Sequence, residues 1–348
     1  SVRVRPFIRF ELQSAENQCC IEMEGKSTII TNPKSLESEQ FLFNNSFWSH
    51  DGFVEREDGL CLKTSSKFAG QEDINEEYSN ELLNNLLQGY NSCIFSYGQS
   101  ASGKTFSIYG IGNNQGIAPF TCEKLFSRLN NLPENEILIS MYEIYAEEIY
   151  DLLVPKINWP KHGLKIRENR DHGVYVENLS KQPARSPDEF QVLIRGGLAN
   201  KRSFRFLMNN LAGVSHIILI LELKQRITQE NKVLEMRSFI TFADLAATQR
   251  TFSSVSPEKW VILLNTSIAA LHTVVKGLAN PASRGAIIRY RDSVLTRILS
   301  NALGGNCKTY MICTLSPSFK NYEATQKDLK FASSIKRIRN QPVPNQFE

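Results

Sequence analysis

Gly98-Gln99-Ser100-Ala101-Ser102-Gly103-Lys104-Thr105 fits the pattern G-x-x-x-x-G-K-[ST]. Those residue types at that spacing bind anions. Backbone N–H groups of such a loop, and of the helix after it, converge on phosphate oxygens. The Lys104 ammonium would neutralise the outer phosphates, and the Thr105 hydroxyl would ligate Mg2+. A Gly/Ser loop ahead of a helix can carry the same letters without a ligand. The short apolar strand CIFSYG (93–98) that leads into it argues against chance. Proteins that use this loop also need a carboxylate at a nearby strand end, to hold the metal's shell. FITFADLA supplies one in Asp244, although Asp at a strand end is common on its own.

The elements that must position these residues alternate along the chain. Ser1 to Phe7 alternates as a strand, and 73–90 carries a helical period ending near Gly89. ILISMYEIYAEEIYDLL (137–153) begins β-prone and turns polar; 215–227, 236–246 and 309–315 read as strands, and 260–278 and 321–338 as long helices. The polar stretches 51–70 and 154–173 read as surface loops. Strands alternating with amphipathic helices predict one α/β layer structure. Neither a repeat nor a dividing linker is visible.

With 348 residues, 41% hydrophobic and 22% charged, the chain can bury a sizeable core. A net charge of +4 does not point to nucleic acid or a membrane surface. Seven cysteines, an odd number without metal spacing, read as reduced thiols of a cytosolic protein. No signal peptide is seen, nor a run of about 18 apolar residues. The chain begins inside a strand, so a piece of a longer protein is expected.

Several motifs in order resemble the motor domain of kinesins, over nearly the whole chain. They are SVRVRPF at the start, LLQGYNSCIFSYGQSASGKT around the phosphate loop, MYEIYAEEIYDLL, GVYVENLS, YRDSVLTRIL and LGGNCKT. The FWSH segment is most similar to the vesicle-transporting branch, whose motors are often monomeric. The resemblance implies a motor domain over 1–338 and a neck-linker-like segment over 339–348. It implies a central, mostly parallel, eight-stranded sheet with three helices on each side. ATP or ADP, Mg2+ and the microtubule are the implied ligands, in the cytoplasm on the cytoskeleton. Carried over by motif, Arg3, Arg5 and Pro6 border the adenine and Phe106 stands beside the base, where an aromatic face can stack. Without the resemblance, Arg3 and Arg5 read as a solvated strand edge.

The chain departs from the family where kinesins read the γ-phosphate. The family's first switch, N-x-x-S-S-R-S-H, is here Asn209-Asn210-Leu211-Ala212-Gly213-Val214-Ser215-His216. The second, D-L-A-G-S-E, is Asp244-Leu245-Ala246-Ala247-Thr248-Gln249. Asn209, Ser215 and Asp244 remain as the catalytic candidates of a degenerate site. The serines that ligate Mg2+ and place the attacking water are gone, and phosphoryl transfer depends on such positioning. Val214 and Gln249 replace both partners of the family's arginine–glutamate latch. Losing one partner would strand a buried charge at about 3–5 kcal/mol, and losing both avoids that.

For the track, Lys165, Arg167, Arg284, Arg289, Arg291 and Arg297 are the candidates facing acidic tubulin, with Arg170 and Lys181 near the same hairpin. Lysines of the family's long helix and of its Lys-rich insertion are missing, so modest, salt-sensitive affinity is expected. Pro342 and Pro344 should make docking of the C-terminal segment imperfect. Two readings stay open: a slow ATP-driven motor, or a nucleotide-binding scaffold or tether without a power cycle. A phosphate-loop enzyme of another class is the remote third. Cargo and tail partners lie outside this stretch, and neither nucleic acid nor direct membrane contact is expected of it.

Overall fold

The computed structural model describes residues 1–4, 18–129, 135–169, 173–202, 214–229, 232–248, 259–283 and 285–347. Eight strands make the main path of the central sheet, with two short ones paired beside it: β1 (Val2–Val4), β2 (Ser46–Trp48), β3 (Ser92–Gly98), β4 (Asn135–Tyr145), β5 (Glu148–Asp151), β6 (His216–Gln229), β7 (Lys232–Asp244) and β8 (Lys308–Leu315). Their spatial order is β5-β4-β6-β7-β3-β8-β1-β2. The pairs β2–β1, β1–β8, β8–β3 and β3–β7 are parallel. The pairs β7–β6, β6–β4 and β4–β5 are antiparallel.

The sheet is therefore mixed, more so than the mostly parallel one expected. The reason is local. β4 and β5 are joined by a turn at Ala146 and Glu147, both with positive φ (50° and 64°), and so short a connection can only join antiparallel strands. The stretch expected as one β-prone segment turning polar is this hairpin. β6 and β7 pair similarly, from Ile217–Asp244 out to Gln229–Lys232.

β3 is buried along its whole length. Its side chains alternate between two cores. Phe95 and Tyr97 join the core under α5 (Lys259–Ala279), α6 (Val294–Ile298) and α7 (Tyr322–Ile335). Ile94 joins the core under α1 (Gln71–Leu87), α3 (Ile117–Leu129) and α4 (Pro187–Asn200). Three helices thus cover each face, and the short α2 (Lys104–Ile108) follows the phosphate loop. The N-terminus of α4 is capped by Ser186, whose hydroxyl accepts the Glu189 N–H at 3.1 Å.

Three expectations need correction. The 51–70 stretch is not all loop: Phe53–Glu55 and Cys61–Lys63 pair as a hairpin. Residues Ile262–Ala279 of α5 are long and apolar enough to cross a membrane, with a mean hydropathy of 1.4. Leu264, Ile268, Leu271, Val274 and Val275 are nonetheless buried in the protein, as in an interior helix. The third concerns the C-terminal segment, which docks in full. The N–H groups of Gln341, Val343 and Asn345 donate to Gly305 O (3.0 Å), Asn306 Oδ1 (2.7 Å) and Gly89 O (2.9 Å). Gln346–Phe347 then pairs with Glu235 and Met236 of β7. Pro342 and Pro344 fall on the alternate positions, where no N–H is needed, so they cost the ladder nothing.

Candidate nucleotide-binding site

The site lies at the carboxyl ends of β3 and β7, where open α/β sheets offer a crevice. Gly98 closes β3 at φ 145°, and a Cβ there would sit 2.1 Å from the Thr314 carbonyl oxygen of β8. Only glycine fits so close a strand crossing. Ala101 (φ 56°) and Gly103 (φ 99°) turn the loop into α2. Ser100 and Ala101 are exposed, whereas Gln99 and Ser102 are buried and tied down. Gln99 donates to Thr325 Oγ1 of α7 at 2.7 Å, and the Ser102 hydroxyl donates to Gln99 O at 2.8 Å.

Lys104 is only 6% exposed, and its ammonium donates to Gly98 O (3.0 Å) and Gln99 O (2.5 Å). An incoming phosphate would exchange with those carbonyls. The Thr105 hydroxyl donates to Asp244 Oδ2 at 2.5 Å, and Ser96 donates to Oδ1 at 3.0 Å. Burial pushes the Asp244 carboxyl up, while Thr105, Lys104 and Ser96 hold it down. A hydroxyl and a carboxylate side by side are the hard oxygen donors that Mg2+ takes, and such sites hold the ion with few protein ligands. Lys104, Thr105 and Asp244 therefore fit a Mg2+-nucleotide.

The segment after Asp244 folds back on the loop. Leu245 N–H donates to Ser96 O (3.3 Å), and Thr248 N–H donates to Gly98 O (3.1 Å). Ala246 N–H donates to His216 Nδ1 at 3.0 Å, so the ring's proton sits on Nε2, 2.9 Å from Ser267 Oγ of α5. Burial pushes His216 down to about 3, with the Lys104 charge adding to it. A neutral histidine thus ties the end of β6 to residue 246 and to α5.

Ser215 donates to Glu143 Oε2 at 3.0 Å and takes no part in the Thr105–Asp244 pair. Glu143, buried in β4, also receives Arg202 N–H at 3.0 and 3.1 Å. Val214 is 5% exposed, packed as an apolar residue, and Ala247 is also buried. Asn209 lies outside the described residues, as do Ala212, Gly213 and Gln249.

On the base side, Arg3 is buried rather than a solvated strand edge. It donates to Ser49 Oγ (3.0 Å), Gln71 Oε1 (2.5 Å) and Ser107 Oγ (2.9 Å), and lies 5.1 Å from the Phe106 ring centroid. Burial lowers it to about 10, still charged. Its work here is to fix Phe106 and the start of α1. Phe106 lines a cavity with Arg3, Gly103, Phe53, Cys61 and Phe68. The last three come from the hairpin region that sequence reading took for loop. Asn114 holds that hairpin, receiving Cys61 N–H (3.1 Å) and donating to Gly59 O (2.6 Å). Arg5 and Pro6 lie outside the described residues.

Of the basic candidates, Lys165 and Arg167 flank or lie on a second hairpin, Ile166–Asn169 with Gly173–Val176. Exposed Arg291 reaches it, 3.6 Å from Glu168, so the hairpin and the turn before α6 share one face. Arg167 pairs with Glu177 (3.1 Å) and Arg289 with Asp292 (3.1 Å). Arg297 is on α6, half-buried. Lys181 is drawn away, bonded to the buried Glu222 at 2.7 Å. Arg170 and Arg284 lie outside the described residues.

The family model of the kinesin motor domain matches residues 3–338. The chain belongs to the kinesin family. It is 37% identical to kinesin-like protein KIF28 of Rattus norvegicus over 99% of its own length and 34% of that protein's. It is 34% identical to KIF13A of Homo sapiens over 99% of its length and 20% of that protein's. The chain thus spans about a third or less of these relatives. The likeness to KIF13A and to KIF1A of Rattus norvegicus fits the vesicle-transport branch. Among solved structures, a KIF14 dimer bound to a microtubule with AMP-PNP superposes at a TM-score of 0.87 and 31% identity, covering 99% of this kinesin domain and 94% of that chain. A fast kinesin superposes at 0.84 and 26% identity, over 99% and 93%.

Proposed function

We propose that this kinesin domain binds ATP or ADP with Mg2+ and binds microtubules, in the cytoplasm, while hydrolysing ATP slowly or not at all. The observation that carries this is a contrast within one site. Lys104, Thr105 and Asp244 are in place around the phosphate loop. Where the family's first switch carries two serines and an arginine, Ala212, Gly213 and Val214 have no side-chain oxygen or nitrogen, and Val214 is packed in the core. Bound Mg2+ supplies charge neutralisation at the outer phosphates. Thr105 and Asp244 would hold it, and Lys104 would neutralise the chain of phosphates. Orienting the attacking water would fall to backbone groups and Thr248. Losing one oxygen donor costs about 10²–10³ in rate in well-studied sites, so losing several brings turnover towards background.

Lys165, Arg167, Arg284, Arg289, Arg291 and Arg297 would face the acidic track, giving affinity that falls with salt. Residues 339–348 would act as a neck-linker-like segment following the domain of 1–338. A second reading, a scaffold or tether that holds nucleotide without a power cycle, draws on the same apolar Val214. Phosphate release from ATP, with and without microtubules at low salt, separates the two. Strong microtubule stimulation supports a slow motor. A burst at ordinary motor speed would sink the impaired-hydrolysis reading, and bound nucleotide with no stimulation supports the tether.

A further inference from the structure

Asp328 is a buried acid that the reading of the site above does not use. It lies on the inner face of α7 and is 3% exposed. Its Oδ1 accepts the Thr248 hydroxyl at 3.3 Å; its Oδ2 has no hydrogen bond of good geometry among the described residues, although Gln99 and Tyr97 lie near enough to favour the charged form. Thr248 is the residue whose N–H reaches Gly98 O. One turn before Asp328, Thr325 holds the Gln99 side chain of the phosphate loop at 2.7 Å. The carboxyl thus stands behind the loop, against the segment that follows Asp244.

We propose that Asp328 is an additional carboxyl of the nucleotide site, whose ionised form opposes binding of the polyphosphate. The inference rests on the nucleotide reading above. An ionised carboxylate here offsets the Lys104 charge that a phosphate needs, and two anions in one low-dielectric site disfavour each other. Binding of a polyphosphate is then coupled to proton uptake by Asp328, and affinity falls as pH rises.

The surroundings isolate this group. Burial pushes its carboxyl up to about 7, against the pull of Lys104, Thr248, Gln99 and Tyr97. From β8, Cys313 faces it with a thiol raised well above the usual range by burial. From α5, His272 is bonded to Tyr97 at 2.7 Å and is lowered by burial. Across the cluster, Asp244 is held by Thr105 and Ser96. From the strand Ser38–Leu42, Glu39 is occupied on the outer face of α7 by Gln326 (2.9 Å) and Lys330 (3.4 Å). Asp328 is thus the carboxyl of the cluster that burial carries up to about 7.

The test measures equilibrium binding of ADP in excess Mg2+ to the chain and to Asp328→Asn, from about pH 7 to about pH 8.5, in buffers of different ionisation enthalpy so that proton uptake is counted. Asparagine keeps an acceptor for Thr248. The chain itself should weaken by up to about tenfold per pH unit and take up about half a proton per ADP near pH 7, rising towards one at the alkaline end. The Asp328→Asn variant should bind more tightly at the alkaline end, with a flat profile and no uptake. Binding with parallel profiles in both proteins overturns the role of Asp328 alone. No binding by either protein at any pH overturns the nucleotide reading as well. Melting without nucleotide reads the same ionisation independently. A carboxyl raised from 3.8 to about 7 loses stability as pH climbs through that window and levels off above it. The stability gained by Asp328→Asn should therefore grow across the window, and a constant gap overturns the proposal.

Discussion

Two regions of the chain, the phosphate loop and the switch sequences, differ in chemistry. On the loop side, Lys104 and Thr105 carry an ammonium and a hydroxyl, both anchored within 3.0 Å of fixed partners, and Asp244 is held from two sides. In the switch sequences, Ala212, Gly213 and Val214 carry none, and Val214 and Ala247 are packed away from water. Holding a phosphate needs the first region, because backbone N–H groups and one lysine suffice for a ground state. Turnover needs more than that, because rate comes from groups aimed at charge that develops only in the transition state. On the proposed reading, binding and catalysis are separable, and neutral residues at both positions of the family's latch would leave no uncompensated charge.

The contrast can be broken from the catalytic side. Restoring Ala212→Ser, Gly213→Ser, Val214→Arg, Ala247→Gly and Gln249→Glu together should raise phosphate release by about 10²–10³ over the parent chain. No gain, with nucleotide binding intact, would mean that the side chains at these five positions do not limit the rate. From the binding side, Lys104→Ala should weaken Mg2+-ADP by about 10²-fold with a small change in melting temperature, since one charge-assisted contact to phosphate contributes about 1.5–3 kcal/mol. Equal affinity would remove the loop from the site.

The C-terminal segment offers a milder test, because it docks beside the same strands. Asn340 accepts Gly304 N–H (2.7 Å) and donates to Ala302 O (3.0 Å) and Cys307 O (2.7 Å). Asn340→Ala should cost about 1–3 kcal/mol and expose the Glu235–Arg237 amides to hydrogen exchange. Protection equal to the parent's would show that the pairing with β7 holds by itself. His216 predicts a pH effect. Its folded value, about 3, lies below the ordinary 6.5, so protonation opposes folding. Stability should fall as pH drops below about 6.5 and keep falling towards 3, and His216→Asn should flatten that slope. The smallest effect is expected at the track face. Arg291→Ala should lower co-sedimentation with microtubules at low salt about twofold or less, and not at high salt, because exposed charges contribute about 1 kcal/mol at most.

How much was readable in the one-dimensional string follows from range. The phosphate loop is contiguous, so its glycines, Lys104 and Thr105 announced themselves by spacing, and Asp244 by its place at the end of an apolar strand. Helix 71–87 was read as 73–90 because its apolar period is local. Docking of the tail is not legible from proline as a residue type. Whether a proline harms a ladder depends on which alternate position it takes, and that register is set by Gly89, Gly305 and Asn306, far away in sequence. The 53–63 hairpin was missed because its polar letters pair only when Asn114 braces them.

The amino-acid order alone settled the loop chemistry, the alternation of strands and helices, and the loss of hydroxyl and charge at 212–214 and 249. Those are properties of residue type and short spacing, which no packing can alter. Tertiary structure alone decided that Arg3 is buried under Phe106, that Ser215 turns to Glu143, that His216 is neutral, and that Asp328 stands behind the phosphate loop. Each of these depends on partners dozens to hundreds of residues away. The charge and direction of a buried polar group are set by those partners and by the water it has lost.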